Sequence, residues 1–153
     1  MNDNQDYPLT PEEFHDIYSR VPRLTVEVII RSDKGVMLSL RDIEPYKGFW
    51  HLPGGTVLFG ESLKDAVRRV AARELGVRVR GEPKFIEYID YIEHPEHFKS
   101  SGQHCVGMAF LTEFEGELKP NQEAAKLDWF TELPENIHPD QIEFINHLLL
   151  TFN

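Results

Sequence analysis

The chain is predicted to be an α+β protein, a mixed β-sheet flanked by helices in an α/β/α sandwich. Short runs of β-branched or alternating apolar residues recur along its whole length. Three segments with helical apolar spacing, the first two with capping residues, are interspersed among them. The length of 153 residues suits one core, and 41% hydrophobic with 27% charged residues is an ordinary globular composition. Residues 1–153 are therefore read as one domain, with 1–9 as a flexible N-terminus.

Taken in order, Thr10-Pro11-Glu12-Glu13 is a helix start. Thr10 caps, Pro11 suits the first helical position and Glu13 closes a capping box. Arg23 to Arg31 is rich in β-branched residues and reads as a strand. Ser32-Asp33-Lys34-Gly35 has turn chemistry, and the alternation of Val36, Leu38 and Leu40 with Met37, Ser39 and Arg41 completes a hairpin. Phe49 to Leu52 is a short strand ended by Pro53-Gly54-Gly55. Ser62 to Leu75 is a helix with Ser62 at its start and Gly76 after its end. A strand is expected after the Gly81-Glu82-Pro83 break, running to Tyr91. Residues 92–103 read as a polar loop, Gln103 to Phe114 and Leu127 to Thr131 as strands. A last helix starts near Pro139, with Ile142, Ile145, Leu148 and Leu149 at helical spacing.

Composition narrows the partners. A net charge of −10 argues against a nucleic-acid polymer, whose phosphates call for basic side chains. A small phosphorylated ligand remains possible where a metal or a few local cations meet it. No apolar run approaches the ~20 residues of a membrane span. The lone Cys105 suits a reducing compartment, and the polar N-terminus lacks a secretory pattern. The expectation is a cytoplasmic protein with no membrane partner.

The informative segment runs from Gly54-Gly55-Thr56-Val57-Leu58-Phe59-Gly60-Glu61 through Arg69 to Arg73-Glu74-Leu75-Gly76-Val77. It resembles the Nudix box, which reads Gly, five residues, Glu, seven residues, Arg-Glu-apolar-any-Glu-Glu-any-Gly-apolar. Gly55, Glu61, Arg69, Ala71, Glu74, Gly76 and Val77 stand at their expected places. On a helix, residues 70, 73 and 74 share one face. Where the family has three Glu residues there, that face is a cluster of hard oxygen donors suited to Mg²⁺ or Mn²⁺ and to substrate phosphates. The present chain departs, with Val70 and Arg73 at two of those positions and Glu74 alone remaining. Val70 joins Leu63, Val67 and Ala71 as an apolar residue.

The resemblance implies a Nudix-type sandwich and a divalent-metal hydrolase of a nucleoside diphosphate derivative. It implies a metal set of the Gly54 carbonyl, Glu74 and Glu123, the last preceding a Trp-containing strand, and a bracing role for Glu61 and Arg69. Over most of residues 10–131 the pattern is most similar to the GDP-mannose mannosyl hydrolase branch. Shared features are the Pro22-initiated first strand, Gly48 to Gly55 and the strand opened by His104. In that branch water attacks the sugar carbon and the diphosphate leaves.

That likeness makes Glu27 and Arg41 expected substrate contacts, with Arg73 as a further diphosphate contact or a surface partner of Glu74 or Asp65. Two residues of the branch are replaced: an Arg by Thr56 and a His base by Ala124. His94, His97 and Glu93 in the polar loop are the candidate bases, since an imidazole titrates near working pH. The branch also suggests a homodimer. The alternative function is a nucleotide- or nucleotide-sugar-binding regulatory domain that no longer turns over.

Overall fold

The computed structural model describes residues 7–44, 46–92, 104–120 and 124–151. The elements are α1 (Pro11–Tyr18), β1 (Arg23–Ser32), β2 (Gly35–Arg41), β3 (Trp50–His51), β4 (Gly54–Thr56), α2 (Leu63–Val70), β5 (Arg78–Ile92), β6 (His104–Glu115), β7 (Ala124–Phe130) and α3 (Ile142–Leu150). A π-helical turn, Ala71–Leu75, extends α2, and a 3₁₀ turn, Pro139–Gln141, leads into α3.

The strands form one mixed sheet in the order β3-β2-β1-β6-β5, with β4 also on β1 and β7 also on β2. β1 runs parallel to β6, from Arg23 opposite Cys105 to Ile30 opposite Thr112. It runs antiparallel to β4, where Glu27 lies opposite Gly54 and Thr25 opposite Thr56. β1 is thus central, and side chains on both of its faces are covered, which explains its nearly unbroken β-branched run. Because alternate residues of a strand point to opposite faces, Val26, Val28 and Ile30 join Val67, Val70 and Leu75 of the α2 segment in one core. Ile29 joins Leu38, Leu52, Ile145 and Leu148 on the α3 side. Each fully buried aliphatic side chain contributes about 1.5–3 kcal/mol. The sandwich is helix, sheet, helix.

The caps form as their chemistry requires. Thr10 Oγ1 accepts from the Glu13 N–H at 3.1 Å, and the Thr10 N–H donates to Glu13 Oε1 at 3.0 Å. Ser62 caps α2 through the Asp65 N–H, and Gly76 ends the π turn at φ +68°, a left-handed position that glycine adopts without strain. No helix among the described residues is long and apolar enough to cross a membrane.

Candidate active site

The loop between β4 and α2 is held by one arginine. Arg69 Nε donates to Glu61 Oε2 at 2.8 Å, and its Nη2 donates to Glu61 Oε1 at 3.0 Å and to the Thr56 carbonyl at 2.7 Å. Glu61 Oε1 also accepts from the Leu58 N–H at 3.1 Å. A two-pronged guanidinium–carboxylate pair of this kind is both strong and directional. The Arg69 hydrogen bonds hold the Glu61 carboxyl below its usual range. Arg69 thereby links the helix to the loop through Glu61 and the Thr56 carbonyl.

Gly55 packs against the helix. A Cβ built there would lie 2.9 Å from Val70 Cγ2, and Val70 itself is only 1% exposed. The valine at this box position is therefore core, in contact with the glycine loop. Arg73 Nε lies 3.6 Å from Glu74 Oε1, so the remaining helix carboxylate carries a cationic neighbour. Both residues sit in the π turn, whose wider winding changes the face arithmetic that an ideal 3.6-residue helix would give for 70, 73 and 74.

Beneath the loop lies a polar group that the box does not contain. Glu27 is 5% exposed, on the α3 face of β1. Its Oε2 occupies the space that a side chain on Gly54 would need, and its Oε1 lies 2.7 Å from the Cβ position of Gly107. The two glycines make room for one carboxyl group. Burial raises its pKa to about 8, against a lowering influence from the Tyr91 hydroxyl. Tyr91 donates to Glu27 Oε1 at 2.9 Å, Gln141 Nε2 donates to the Tyr91 oxygen at 2.7 Å, and the Leu52 N–H donates to Gln141 Oε1 at 2.7 Å. Burial, with Glu27 alongside, pushes the Tyr91 phenol well above its ordinary value, so it remains a donor. Thr25 Oγ1, also buried, is 3.2 Å from the Gly107 Cβ position, and the Thr25 hydroxyl adds a smaller lowering influence on the Glu27 carboxyl.

Arg41 ends β2 opposite Ala124, with its N–H donating to the Phe49 carbonyl at 3.0 Å. His51 lies on the same face of the paired strands β2 and β3, since it pairs with Ser39. Burial and then the Arg41 charge lower the His51 pKa to about 4, so the ring is neutral, with Nδ1 2.7 Å from the Leu52 carbonyl. Near the start of α3, His138 stacks on Tyr46 with ring centroids 3.9 Å apart and meets the Tyr91 ring edge-on at 5.4 Å. Tyr46 holds a left-handed φ of +67°, uncommon for a residue other than glycine.

The structure thus joins Glu27 to Gly54, Gly55 to Val70, Glu61 to Arg69 and Arg73 to Glu74. His94, His97, Glu93 and Glu123 lie outside the described residues. Among the described residues, no three His, Cys, Asp or Glu side chains converge as a metal centre. Of the expected metal ligands, Gly54 lies in β4 and Glu74 in the π turn; a carbonyl and a carboxylate are oxygen ligands of the type that suits Mg²⁺, whose octahedron water and substrate phosphates complete. Tyr91, Gln141, His51 and Thr25 are site residues that the sequence did not single out for these roles. Their signal was faint: Gln141 and Tyr91 are 50 residues apart, and Tyr91 and Glu27 are 64 apart.

Comparison with known proteins matches this picture. The NUDIX domain profile covers residues 21–148. The chain is 33% identical over 129 residues to the low-salt glycan biosynthesis protein Agl8 of Haloferax volcanii, covering 84% of this chain and 83% of that protein. It is 30% identical over 110 residues to the ADP-ribose pyrophosphatase of Methanocaldococcus jannaschii, covering 71% of this chain and 62% of that protein. The crystal structure of a MutT NUDIX hydrolase from Burkholderia pseudomallei superposes with a TM-score of 0.72 at 26% identity, over 87% of this chain and 99% of that one. On the family match, the box and the shared sandwich, this chain belongs to the NUDIX hydrolase family.

Proposed function

We propose that this NUDIX domain is a Mg²⁺- or Mn²⁺-dependent hydrolase of a nucleoside diphosphate linked to a sugar. The observation that carries the reading is the braced loop: Arg69 ties Glu61 to the Thr56 carbonyl, so the glycine turn is fixed directly above the Glu27 carboxyl. A rigid glycine turn lets a diphosphate approach the backbone closely, and a buried acid beside it supplies a hydrogen-bonding group for a sugar hydroxyl. Two relatives support the substrate class. One is named for glycan biosynthesis and one for cleavage of ADP-ribose, itself a nucleoside diphosphate joined to a sugar.

In this reading the Gly54 carbonyl, Glu74 and Glu123 hold the cation, which when bound neutralises charge on the diphosphate. Arg41 meets phosphate at the open end of β2, and Arg73 stands next to Glu74 as a second cation. Glu27 faces the sugar. The general base is one of His94, His97 and Glu93. The functional unit is a homodimer in the cytoplasm, acting on a small molecule rather than on a nucleic acid.

The test is a turnover panel of nucleotide sugars, ADP-ribose, dinucleotides and nucleoside triphosphates, each with Mg²⁺ and with Mn²⁺. Sustained turnover of a nucleotide sugar or of ADP-ribose, lost in Glu74→Gln, is expected. Running the reaction in ¹⁸O-water then places the label on the sugar for attack at carbon, or on phosphate for attack at phosphorus. Binding without turnover across the panel would reject the enzymatic reading.

A further inference from the structure

The hydrogen bonds around Glu27 have a fixed direction. The Leu52 N–H is an obligate donor, so the Gln141 atom 2.7 Å from it is the amide oxygen. The other end of that amide is then NH₂, which can only donate, and it does so to the Tyr91 oxygen at 2.7 Å. A phenol has one proton. With its oxygen already accepting, that proton goes to Glu27 Oε1, 2.9 Å away. One carboxyl oxygen is thereby committed as an acceptor, and the other, Oε2, is turned toward Gly54. Leu52 and Gln141 are themselves buried, at 0% and 2% exposure, so the chain is anchored in the α3-side core.

We infer that Tyr91 and Gln141 are positioning residues, which lock Glu27 Oε1 so that Oε2 alone is presented to substrate at the glycine turn. A side chain serving only to fill this space would be apolar, because a buried carboxyl group and its two polar partners must all be satisfied to be tolerated. Instead the acid stands at the strand position paired with Gly54, in the space that the glycine leaves open. The half-buried Tyr91 of β5 and the buried Gln141 at the start of α3 orient it. The inference rests on the hydrolase reading above for its functional consequence, and on the hydrogen-bond directions alone for its geometry.

Two substitutions address it. Tyr91→Phe deletes the donor and keeps the ring. Gln141→Glu keeps an acceptor for the Leu52 N–H but presents a second acceptor to Tyr91, turning the phenolic proton away from Glu27. Each is compared with Glu27→Gln and with the double variant Tyr91→Phe/Glu27→Gln, using the substrate on which the unaltered protein turns over. The expected result is a 10- to 100-fold fall in kcat for both single variants, with KM changed less than threefold. The double variant should lose no more than Glu27→Gln alone.

The ¹³Cδ resonance of Glu27, assigned by its absence in Glu27→Gln, should move in both Tyr91→Phe and Gln141→Glu. A kcat within twofold of the unaltered protein, or multiplicative losses in the double variant, would overturn the positioning role. An unmoved Cδ resonance would overturn the geometry itself. If the unaltered protein turns over nothing, the hydrolase reading fails while the resonance still decides the relay.

Discussion

Val70 Cγ2 fills the space into which a side chain on Gly55 would project, at 2.9 Å from the Cβ position. The contact couples the glycine loop to the helix through packing alone. It predicts that Gly55→Ala destabilises the fold by about 1–3 kcal/mol, the usual cost of forcing one methyl into a filled core. Val70→Ala, costly by itself, should relieve part of that loss. Urea denaturation of the two single variants and the double variant measures the coupling, and additive losses would show that the loop moves aside instead.

The Glu61–Arg69 brace makes a second prediction. Arg69 spans from the helix to both Glu61 oxygens and the Thr56 carbonyl. Glu61→Gln keeps the shape but loses the charge, and should cost about 1–3 kcal/mol. The pH dependence has a definite sign. The folded pKa of Glu61 is held below its usual value, so its contribution is complete above the ordinary carboxylate pKa and vanishes as pH falls through the depressed one. The stability gap between Glu61→Gln and the unaltered protein should narrow in acid, and an unchanged gap would assign the effect to packing.

Local signals were legible in the sequence where neighbours in the chain determine the structure. The Thr10–Glu13 capping box, the Ser62 cap, the Ser32–Gly35 turn and the Gly76 stop all depend on residues within five positions of one another. What was not legible depends on partners far along the chain. Pro53-Gly54-Gly55 reads as a strand end, yet Gly54–Thr56 is a strand because β1 supplies the hydrogen bonds that glycine propensity disfavours. Gly81-Glu82-Pro83 reads as a break, yet β5 passes through it with a register shift between Arg80 and Lys84. The α2 pattern continues to Leu75, but its last turn winds as π rather than α. The Glu27 relay joins β1, β5 and the start of α3, and no local pattern announces it.

His51 makes a pH prediction opposite in chemistry to that of a carboxylate. Burial and the Arg41 charge lower its folded pKa from 6.5 to about 4. A folded pKa below the unfolded one means that the unfolded chain binds the proton more readily. His51 therefore favours folding fully above about pH 6.5, and that contribution is lost as pH falls toward 4. Because the ring is half-buried, the effect should be on the order of 1–2 kcal/mol, below what the full shift implies. Chemical denaturation of His51→Gln against the unaltered protein at pH 7, 5.5 and 4.5 isolates it. The variant's relative stability should improve toward acid, and parallel curves would place a solvated imidazole at this position.

The two departures from the glutamate pattern of the box should behave differently when reversed. Val70 is 1% exposed within the α2-side core, so Val70→Glu buries a carboxylate without a partner and should destabilise by about 2–5 kcal/mol without creating a ligand. Arg73 retains 35% side-chain exposure at the rim and lies 3.6 Å from Glu74, so its replacement is sterically mild. Arg73→Glu exchanges a cation for an anion beside the remaining carboxylate, and the affinity of an oxygen site for a divalent ion rises with its negative charge. Mn²⁺ binding followed by paramagnetic resonance should tighten about tenfold, near 1.4 kcal/mol, in Arg73→Glu with melting temperature little changed. Glu74→Gln in the same background should erase the gain. Unchanged Mn²⁺ affinity in Arg73→Glu would separate Glu74 from any cation site.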